Sequence, residues 1–430
     1  MKRSVTLSRV VVTGRGAVTP LGLSADALWD GLVCGRSGIS RIRHFDTTGF
    51  PVQIAGYMHN FQPQNYMTRK QARRTARFTQ LALAAAREAI SDAVLDLNNE
   101  DRTRIGVEIG CATGSIETIV GQHEIMRQKG PRRLVPSTIM GGLINMATCQ
   151  VAMEFGLRGP GGAPVAACAT GLYAIGDAYR RLQRGEADVM VAGASESFLD
   201  KLAIAAFWRI QALSTRNSDP PGASRPFDLE RDGTVMAEGA AVLILETEEH
   251  ALARGANILG EIVGYGQTLD AFHIMAPDQS GSAAARAIQQ ALYEADISPE
   301  NVDWISAHGT ATPLNDLAET RAIKRVFGEK AYDIPVTGLK SMTGHMLGAA
   351  GAVSVLANVQ AIQDGIIPPT INYHTPDPLL DLDYVPNEAR KKRVNVALSN
   401  AFGIGGQNAC IVVQRYQPSL ARCLHPRLNE

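Results

Sequence analysis

Short apolar runs typical of β-strands alternate with longer stretches of helical periodicity along most of this chain. In a chain of 430 residues, this alternation favours an α/β fold in which helices cover the faces of a sheet. The predicted strands are Val10–Thr13, Ile105–Ile109, Val165–Ala167, Val189–Ala192, Ala241–Leu245, Ile262–Tyr265, Trp304–Ser306, Val394–Ala397 and Ala409–Val413. The predicted helices are Ala72–Ala93, Leu172–Arg184, Ser282–Glu294, Asp316–Phe327 and Gly348–Asp364.

The order of these elements repeats in the two parts of the chain, which indicates an internal duplication. We place the seam near Arg254–Ala256, so that residues 1–255 form an N-terminal half and residues 256–430 form a C-terminal half. The similarity between the halves is one of pattern and not of sequence identity.

The charge balance and the cysteine spacing argue against several classes of protein. Lys+Arg and Asp+Glu both total 42, so nothing predicts a nucleic-acid surface, and no apolar run approaches the roughly 18 residues of a membrane span. The first residues lack the apolar core of a signal peptide. The six cysteines show no CxxC pair and no histidine at metal-ligand spacing. We therefore expect a cytoplasmic protein with reduced thiols, no metal site, no membrane span and no nucleic-acid partner.

A cysteine stands where a predicted strand turns into a predicted helix. Cys168 follows the apolar run 164–167 and precedes Ala169, Thr170 and Gly171, whose small side chains leave the sulfur open to other groups. The free N–H groups at a helix start favour the thiolate. Cys168 is therefore a candidate nucleophile if histidine or lysine partners lie nearby. The alternative is a small buried hydrophobic residue, as most free cysteines are.

Two histidines follow predicted strands, in loops that also contain Gly and Thr. His308 opens the segment His-Gly-Thr-Ala-Thr-Pro, and His345 closes the segment Lys-Ser-Met-Thr-Gly-His, which begins at Lys340. Loops at strand ends are where α/β sheets collect their chemistry. Either histidine alone could be structural, but the pair, with Lys340 nearby, indicates partners for the Cys168 thiol.

Together these segments resemble the β-ketoacyl-acyl-carrier-protein synthases, the elongating condensing enzymes of fatty acid and polyketide synthesis. The resemblance rests on the segments around Cys168, His308 and Lys340 and on the Gly-rich segment Asn400–Gly406, and it covers nearly the whole chain. Within the family the chain most resembles synthase II of type II fatty acid synthesis. The resemblance implies a thiolase-like fold, with two duplicated halves in a layered αβαβα arrangement, and a homodimer.

The resemblance also implies an acyltransferase that catalyses a decarboxylative Claisen condensation. Cys168 would carry an acyl chain as a thioester, and a malonyl group would lose carbon dioxide and attack it, lengthening the chain by two carbons. His308 and His345 would donate hydrogen bonds to the malonyl carbonyl as neutral imidazoles, while Lys340 would organise the site. No cofactor is expected, because the substrates arrive on the phosphopantetheine of acyl carrier protein.

Further residues take their expected roles from the same resemblance. Glu319 would pair with Lys340, and the backbone N–H groups of Cys168 and Phe402 would bind the acyl carbonyl oxygen. The ring of Phe402 would act as a gate between acyl and malonyl binding; the alternative is an ordinary core phenylalanine. The expected substrate-binding residues are Thr310 and Thr312 on the pantetheine arm, Thr113 at the acyl pocket, and Gly403.

The carrier protein is acidic, so an enzyme without net charge needs a local basic patch to bind it. One short run supplies Arg69, Lys70, Arg73 and Arg74, and these positions match the docking helix of the family. Without the resemblance, such a run would be interpreted as an ordinary solvated face.

Other interpretations differ in how well the sequence fits them. A thiolase needs a second cysteine as a base, and the late candidate, Cys410, lies inside an apolar strand pattern. A non-catalytic partner subunit that sets chain length typically lacks the nucleophile, which is present here. A ketosynthase of a type II polyketide or specialised lipid pathway would have the same catalytic residues, and this alternative stays open.

Ser354 stands where the family often has a glutamate that helps to bind a structural cation, so no such cation is expected.

Overall fold

The computed structural model describes residues 7–418. Residues 1–6, which belong to the segment predicted not to be a signal peptide, and Cys423 lie outside the described residues. Strands β1 to β14 are, in chain order, Val10–Val18, Ser40–Arg41, Ile54–Ala55, Ile105–Gly110, Gly161–Gly162, Val189–Glu196, Gly239–Thr247, Gly260–Leu269, Trp304–Ser306, Val336–Thr337, Ile366–Ile367, Arg390–Lys391, Val396–Gly403 and Gln407–Gln414. Helices α1 to α13 are Ala25–Val33, Arg69–Ala72, Arg77–Asp92, Ile116–Lys129, Thr138–Gly142, Met146–Phe155, Thr170–Gln183, Lys201–Arg209, Glu248–Ala253, Ser282–Glu294, Pro313–Phe327, Lys340–Thr343 and Gly348–Asp364.

Within the described residues, ten strands form one mixed sheet in the order β10-β9-β13-β14-β8-β1-β7-β6-β4-β5. At its centre, Val10–Val12 of β1 pair antiparallel with Gly260–Ile262 of β8. Outward from this centre, both halves of the sheet make the same series of pairings, antiparallel twice and then parallel twice. The series are β1-β7-β6-β4-β5 in one half and β8-β14-β13-β9-β10 in the other. The strands also enter each half in the same chain order, so the predicted duplication is present in the topology.

Helices fill the two outer faces and the space between the halves of the sheet. Helices α3 and α6 pack outside the first half, whereas α10 and α11 pack outside the second, and each pair buries its own hydrophobic core. Helices α7 and α13 contact each other and strands of both halves within the central core. The result is the predicted layered αβαβα arrangement of an α/β protein.

Glycines set how closely the outer helices approach the central strands, and they do so alike in both halves. A Cβ added to Gly16 of β1 would lie 2.0 Å from the carbonyl oxygen of Ala85 on α3. A Cβ added to Gly266 of β8 would lie 2.0 Å from the carbonyl oxygen of Ala287 on α10. Because interiors are close-packed, neither position has room for a side chain.

Most predicted elements are present with shifted ends, but two predictions are wrong. The predicted strand Val165–Ala167 does not form, because Ala167 has a left-handed φ of 47°, which extended strands do not allow; a 3₁₀ turn, Ala167–Ala169, stands there instead. The predicted helix Ala72–Ala93 is interrupted, because Ala76 is extended and is the N-cap of the separate helix α3.

Two predictions about the chain as a whole concern its seam and membrane insertion. The seam near Arg254–Ala256 lies between α9 and β8 and stays a prediction. Among residues 7–418, every helix is too short or too polar to cross a membrane.

Replacing Gly266 with alanine should destabilise the protein, because the new methyl group must displace the Ala287 carbonyl. We expect the free energy of unfolding to fall by about 1–3 kcal/mol, the usual cost of overpacking a core, as measured by urea denaturation. Gly260→Ala in the same strand is the matched control, since its Cβ would meet atoms no closer than 3.5 Å. Equal stability of the two variants would contradict the close helix–strand approach.

Candidate active site

Cys168 lies on the 3₁₀ turn that leads directly into α7. Thr170 fixes this turn, since its hydroxyl donates to the carbonyl of Ala167 at 2.7 Å and accepts from the N–H of Ala166 at 2.8 Å. The left-handed backbone of Ala167 is a strained conformation of the kind that clusters at functional sites. The sulfur is thus held at a helix start, as predicted, although no strand precedes it.

The protonation of the Cys168 thiol differs from the sequence-based expectation. Burial raises the pKa of Cys168 to about 11, and the positive charge of Lys340 offsets only part of this effect. The helix start therefore does not produce a resting thiolate, because desolvation disfavours the charged form more strongly. A nucleophilic sulfur at this position needs a nearby base.

His345 supplies a basic atom next to the sulfur. Its Nε2 lies 3.1 Å from the Cys168 Sγ, although the two residues belong to different halves of the chain. The backbone of His345 is held by the 235–237 segment: its N–H donates to the carbonyl of Val235 at 2.7 Å, and its carbonyl accepts from Ala237 at 2.9 Å. The His345 Nδ1 is buried and has no hydrogen-bond partner.

His308 follows β9 and faces the same space. Its ring centroid lies 5.6 Å from that of His345, and the planes are almost perpendicular. The carboxylate of Glu319 on α11 accepts from the N–H groups of His308 at 2.7 Å and Gly309 at 2.8 Å. This carboxylate fixes the loop and leaves the His308 ring free to face the sulfur.

The predicted ion pair between Lys340 and Glu319 is not formed. The Lys340 ammonium donates instead to the backbone carbonyl of His308 and lies 3.4 Å from the His308 Nδ1. The Glu319 oxygens are occupied by backbone N–H groups and, at 3.4 Å, by the amide of Asn400. Both ionisable groups therefore contact the backbone of the His308 loop, and they do not form a salt bridge with each other.

Burial sets the protonation of the two histidines. It lowers the pKa of His308 and of His345 well below the ordinary range, and the charge of Lys340 adds to the effect. Both rings are consequently neutral near pH 7. Since the His308 Nδ1 faces the Lys340 ammonium, which only donates, the His308 proton belongs on Nε2.

A cavity of about 390 Å³ opens onto the sulfur. Of the predicted residues, Cys168, His308, His345, Phe402, Thr310, Thr312 and Gly403 line it. The Thr310 and Thr312 hydroxyls lie 2.9 Å apart, and the Phe402 ring lies 5.6 Å from that of His308. A Cβ at Gly403 would lie 2.6 Å from the carbonyl oxygen of Ala166, so glycine is needed for this close approach to the nucleophile turn.

Thr113, predicted to line the acyl pocket, lies outside this cavity. Its hydroxyl and N–H donate to the carboxylate of Glu196, a fully buried residue that the sequence interpretation missed. Glu196 also accepts from the N–H groups of Ala112 at 2.8 Å and Gly348 at 3.2 Å and from the Cys111 thiol at 3.3 Å. It ties the 111–113 loop to the N-terminus of α13. A lone acidic residue at a strand end gives no sequence signal for such a role.

The four predicted docking residues lie together and away from the cavity lining. Arg69 and Lys70 begin the short helix α2, Arg73 and Arg74 follow it, and all four are exposed. Thr68 and Gln71 form a capping box at the start of this helix, which gives the basic run a defined backbone. Arg69 and Arg73 border a surface groove with Gln62 and Asn65.

Comparison with known proteins agrees with this geometry. The models of the beta-ketoacyl synthase N-terminal and C-terminal domains match residues 7–251 and 259–374. A 3-oxoacyl-[acyl-carrier-protein] synthase 2 of Staphylococcus aureus is 46% identical over 409 residues, covering 95% of this chain and 99% of that protein. The namesake of Synechocystis is 47% identical over 409 residues, covering 95% and 98%.

Among solved structures, one similar protein is a type II polyketide ketosynthase in complex with its acyl-carrier protein. It superposes with a TM-score of 0.87 and 38% identity, covering 96% of this chain and all of that chain. The family predicted from the motifs is therefore confirmed, and the chain belongs to the β-ketoacyl synthases.

Proposed function

We propose that this chain is a 3-oxoacyl-[acyl-carrier-protein] synthase of the synthase II type, an acyltransferase that elongates fatty acyl chains by two carbons. The observation that carries this proposal is the 3.1 Å contact between the Cys168 Sγ and the His345 Nε2, in a cavity that His308 also lines. The identity of 46–47% to synthases of this name over 95% of the chain supports the same assignment.

In the first half-reaction, an acyl group moves from carrier to enzyme. The Cys168 thiol gives its proton to the His345 Nε2 as the sulfur attacks the thioester carbonyl. The carrier thiol then leaves and takes this proton. The acyl group now sits on Cys168, and His345 is neutral again, which is the state that its burial favours.

In the second half-reaction, malonyl-carrier protein loses carbon dioxide. Decarboxylation itself generates the carbanion, so the site needs donors for the enolate oxygen and no strong base. The neutral His308 ring, whose proton lies on Nε2, supplies one such donor, and His345 supplies the second in the tautomer that carries its proton on Nε2. The carbanion attacks the acyl carbonyl, and the Cys168 thiolate leaves and takes up a proton from solvent.

Lys340 serves as a positioning residue in this scheme. Its ammonium contacts the carbonyl and the Nδ1 of His308, which keeps the His308 proton on Nε2, toward the cavity. Burial lowers the pKa of Lys340, and the nearby Glu319 carboxylate opposes this effect. Lys340 therefore loses its charge at a lower pH than an exposed lysine does.

We propose acyl carrier protein as the partner, bound through the basic run on and after α2. The exposure of Arg69, Lys70, Arg73 and Arg74 gives a local positive patch on a chain without net charge. The similar polyketide ketosynthase forms a complex with an acyl-carrier protein. No cofactor is proposed, since a thiol and two hydrogen-bond donors suffice for this chemistry.

A homodimer and a cytoplasmic location belong to the same proposal. Helices α4, α5 and α6 leave large apolar side chains exposed, a pattern that marks interaction surfaces; they are Ile119, Val120, Met126, Ile139, Met140 and Met153. The edge strand β5 beside them offers unpaired backbone groups to a second copy. The five described cysteines are free thiols, which suits a reducing compartment.

A ketosynthase of a type II polyketide or specialised lipid pathway is the second candidate. The 38% identity to a polyketide ketosynthase over 96% of this chain favours it. The identity to the 3-oxoacyl-[acyl-carrier-protein] synthases 2 is higher, at 46–47%, so the polyketide or specialised lipid pathway is the second candidate. The products distinguish the two, because a polyketide enzyme extends 3-oxoacyl chains repeatedly without reduction.

The proposed function predicts one covalent adduct and one product. Incubation with acyl-carrier proteins of increasing chain length should add one acyl mass to Cys168, and malonyl-carrier protein should then release a 3-oxoacyl chain two carbons longer. Cys168→Ala should lose the adduct, whereas Cys34→Ala, which alters an exposed thiol, should keep it. Mass spectrometry of the intact protein and of the products tests the proposal. An adduct that survives Cys168→Ala would disprove it.

Substitutions of the two histidines should have different effects in the same assay. His308→Asn should reduce malonyl decarboxylation by about 10²–10³-fold, the usual loss for one oxyanion donor, with adduct formation preserved. His345→Asn should slow both half-reactions, because the His345 Nε2 contacts the sulfur.

Malonyl decarboxylation should fall as the pH rises from neutral into the alkaline range. Lys340 is charged below its pKa, and burial has lowered that pKa, so His308 loses its charged partner within this range. Lys340→Met should be slower at neutral pH by about 10–100-fold, by analogy with groups that orient metal-bound histidines, and should lack the alkaline fall. Carbon dioxide release without an acyl donor measures this rate.

Lys324→Met is the control for this pH profile, since Lys324 pairs with Asp381 at the surface of the same half. It should keep the wild-type profile. An alkaline fall of the same size in Lys340→Met would show that another group titrates.

Reversing two charges of the docking run should weaken carrier binding alone. We expect Lys70→Glu with Arg73→Glu to raise the KM for acyl-carrier protein by about 10-fold, while small thioester analogues react as before. Lys391→Glu with Arg393→Glu changes the net charge equally at two other exposed residues and should leave this KM unaltered. Steady-state kinetics with both substrate types tests the docking site, and equal effects of the two double variants would refute it.

A further inference from the structure

The three side chains at the base of the cavity also form a set of soft metal ligands. The Cys168 Sγ and one ring nitrogen each of His308 and His345 lie within 4.8 Å of one another, and all three residues are buried. Thiolate and imidazole are the ligands that Zn²⁺ prefers in proteins. The sequence motifs predicted that these side chains meet, but their spacing along the chain gave no metal-ligand signal.

The geometry is close to that of a tetrahedral zinc site. Zn–S and Zn–N bonds of about 2.3 and 2.0–2.1 Å place neighbouring ligand atoms roughly 3.3–3.6 Å apart. The sulfur and the His345 Nε2 are already 3.1 Å apart, and the widest pair, at most 4.8 Å apart, must close by roughly 1.2–1.5 Å at most. Three protein ligands leave the fourth position open to the cavity, as in zinc sites that keep an exchangeable ligand.

The charges around the ligands argue for reversible capture and against a permanent metal. The Lys340 ammonium lies 3.4 Å from the His308 Nδ1 and repels a second cation. The thiol releases its proton to solvent when it becomes a zinc-bound thiolate, which reduces the cost. His308 binds the ion through Nε2, so its proton moves to Nδ1, where it faces the Lys340 ammonium and keeps the metal weakly held. No electron transfer takes place, and removal of the metal with a proton from solvent restores the thiol.

We propose that Zn²⁺ binds Cys168, His308 and His345 and thereby reversibly blocks the nucleophile. The ion occupies the atoms that the proposed function requires for acyl transfer and for decarboxylation, so the bound state is inactive. The inhibition rests on the proposed function, but the binding of zinc does not.

Binding is measured on the whole protein without carrier protein or malonyl substrate. Titration of Zn²⁺ against a chromophoric chelator should give one site per chain, and zinc should slow the alkylation of Cys168 by iodoacetamide by about 10-fold or more, as read from peptide mass. A chelator should restore the rate. Mg²⁺, which prefers oxygen ligands, should give no protection.

Variants identify the ligands. Cys168→Ser should lose the site, whereas Cys34→Ser should retain it. His308→Asn keeps the thiol and should weaken zinc binding by at least about 10-fold, so that protection of Cys168 requires correspondingly more zinc. Unchanged zinc binding in Cys168→Ser, or unprotected alkylation of the wild type at saturating zinc, would overturn the proposal. Neither result bears on condensation, which is measured separately, so the two proposals fail independently.

Discussion

The site depends on how closely two helix N-termini approach each other in the central layer. A Cβ at Gly171 of α7 would lie 2.7 Å from the carbonyl oxygen of Gly348 on α13, and one at Gly351 would lie 3.0 Å from the N–H nitrogen of Leu172. Larger residues would push the helices apart, because packed interiors do not absorb added atoms. Cys168 precedes α7 and His345 precedes α13, so this contact holds the sulfur against the imidazole.

Burial then decides which groups carry charge. Desolvation keeps the Cys168 thiol protonated and the two imidazoles neutral, so a proton can pass between sulfur and His345 without a change in net charge. Two charged groups contact the backbone of His308: the Lys340 ammonium at its carbonyl and the Glu319 carboxylate at its N–H. The reacting groups are neutral, and the charges around them are held in fixed positions. Such fixed groups stabilise the charge that develops during the reaction without having to reorient.

Local patterns predicted the helices and strands well, and long-range contacts poorly. The helices Ser282–Glu294 and Gly348–Asp364 have the bounds that their periodicity predicts. The strand predicted at 165–167 fails because the left-handed φ of Ala167 depends on its neighbours in space. The role of Glu196 also depends on distant residues, since its five donors come from the 111–113 loop and from Gly348. The same is true of Lys340, which contacts the His308 carbonyl in place of Glu319.

The duplication explains how one chain assembles an asymmetric site. The loops after β4 and β9 occupy equivalent places, and in each a buried carboxylate holds two consecutive N–H groups: Glu196 those of Ala112 and Thr113, and Glu319 those of His308 and Gly309. Counted from the strand end, Ala112 corresponds to His308.

The central helices differ in the same way, because a thiol precedes α7 and an imidazole precedes α13. The two halves therefore share the buried carboxylate that holds the loop, and they differ in the side chain that faces the site. Identical loops would place two thiols or two pairs of imidazoles at the junction, and neither set could both carry an acyl group and polarise a second thioester. The divergence of the two halves at these positions is what makes a single condensing site possible.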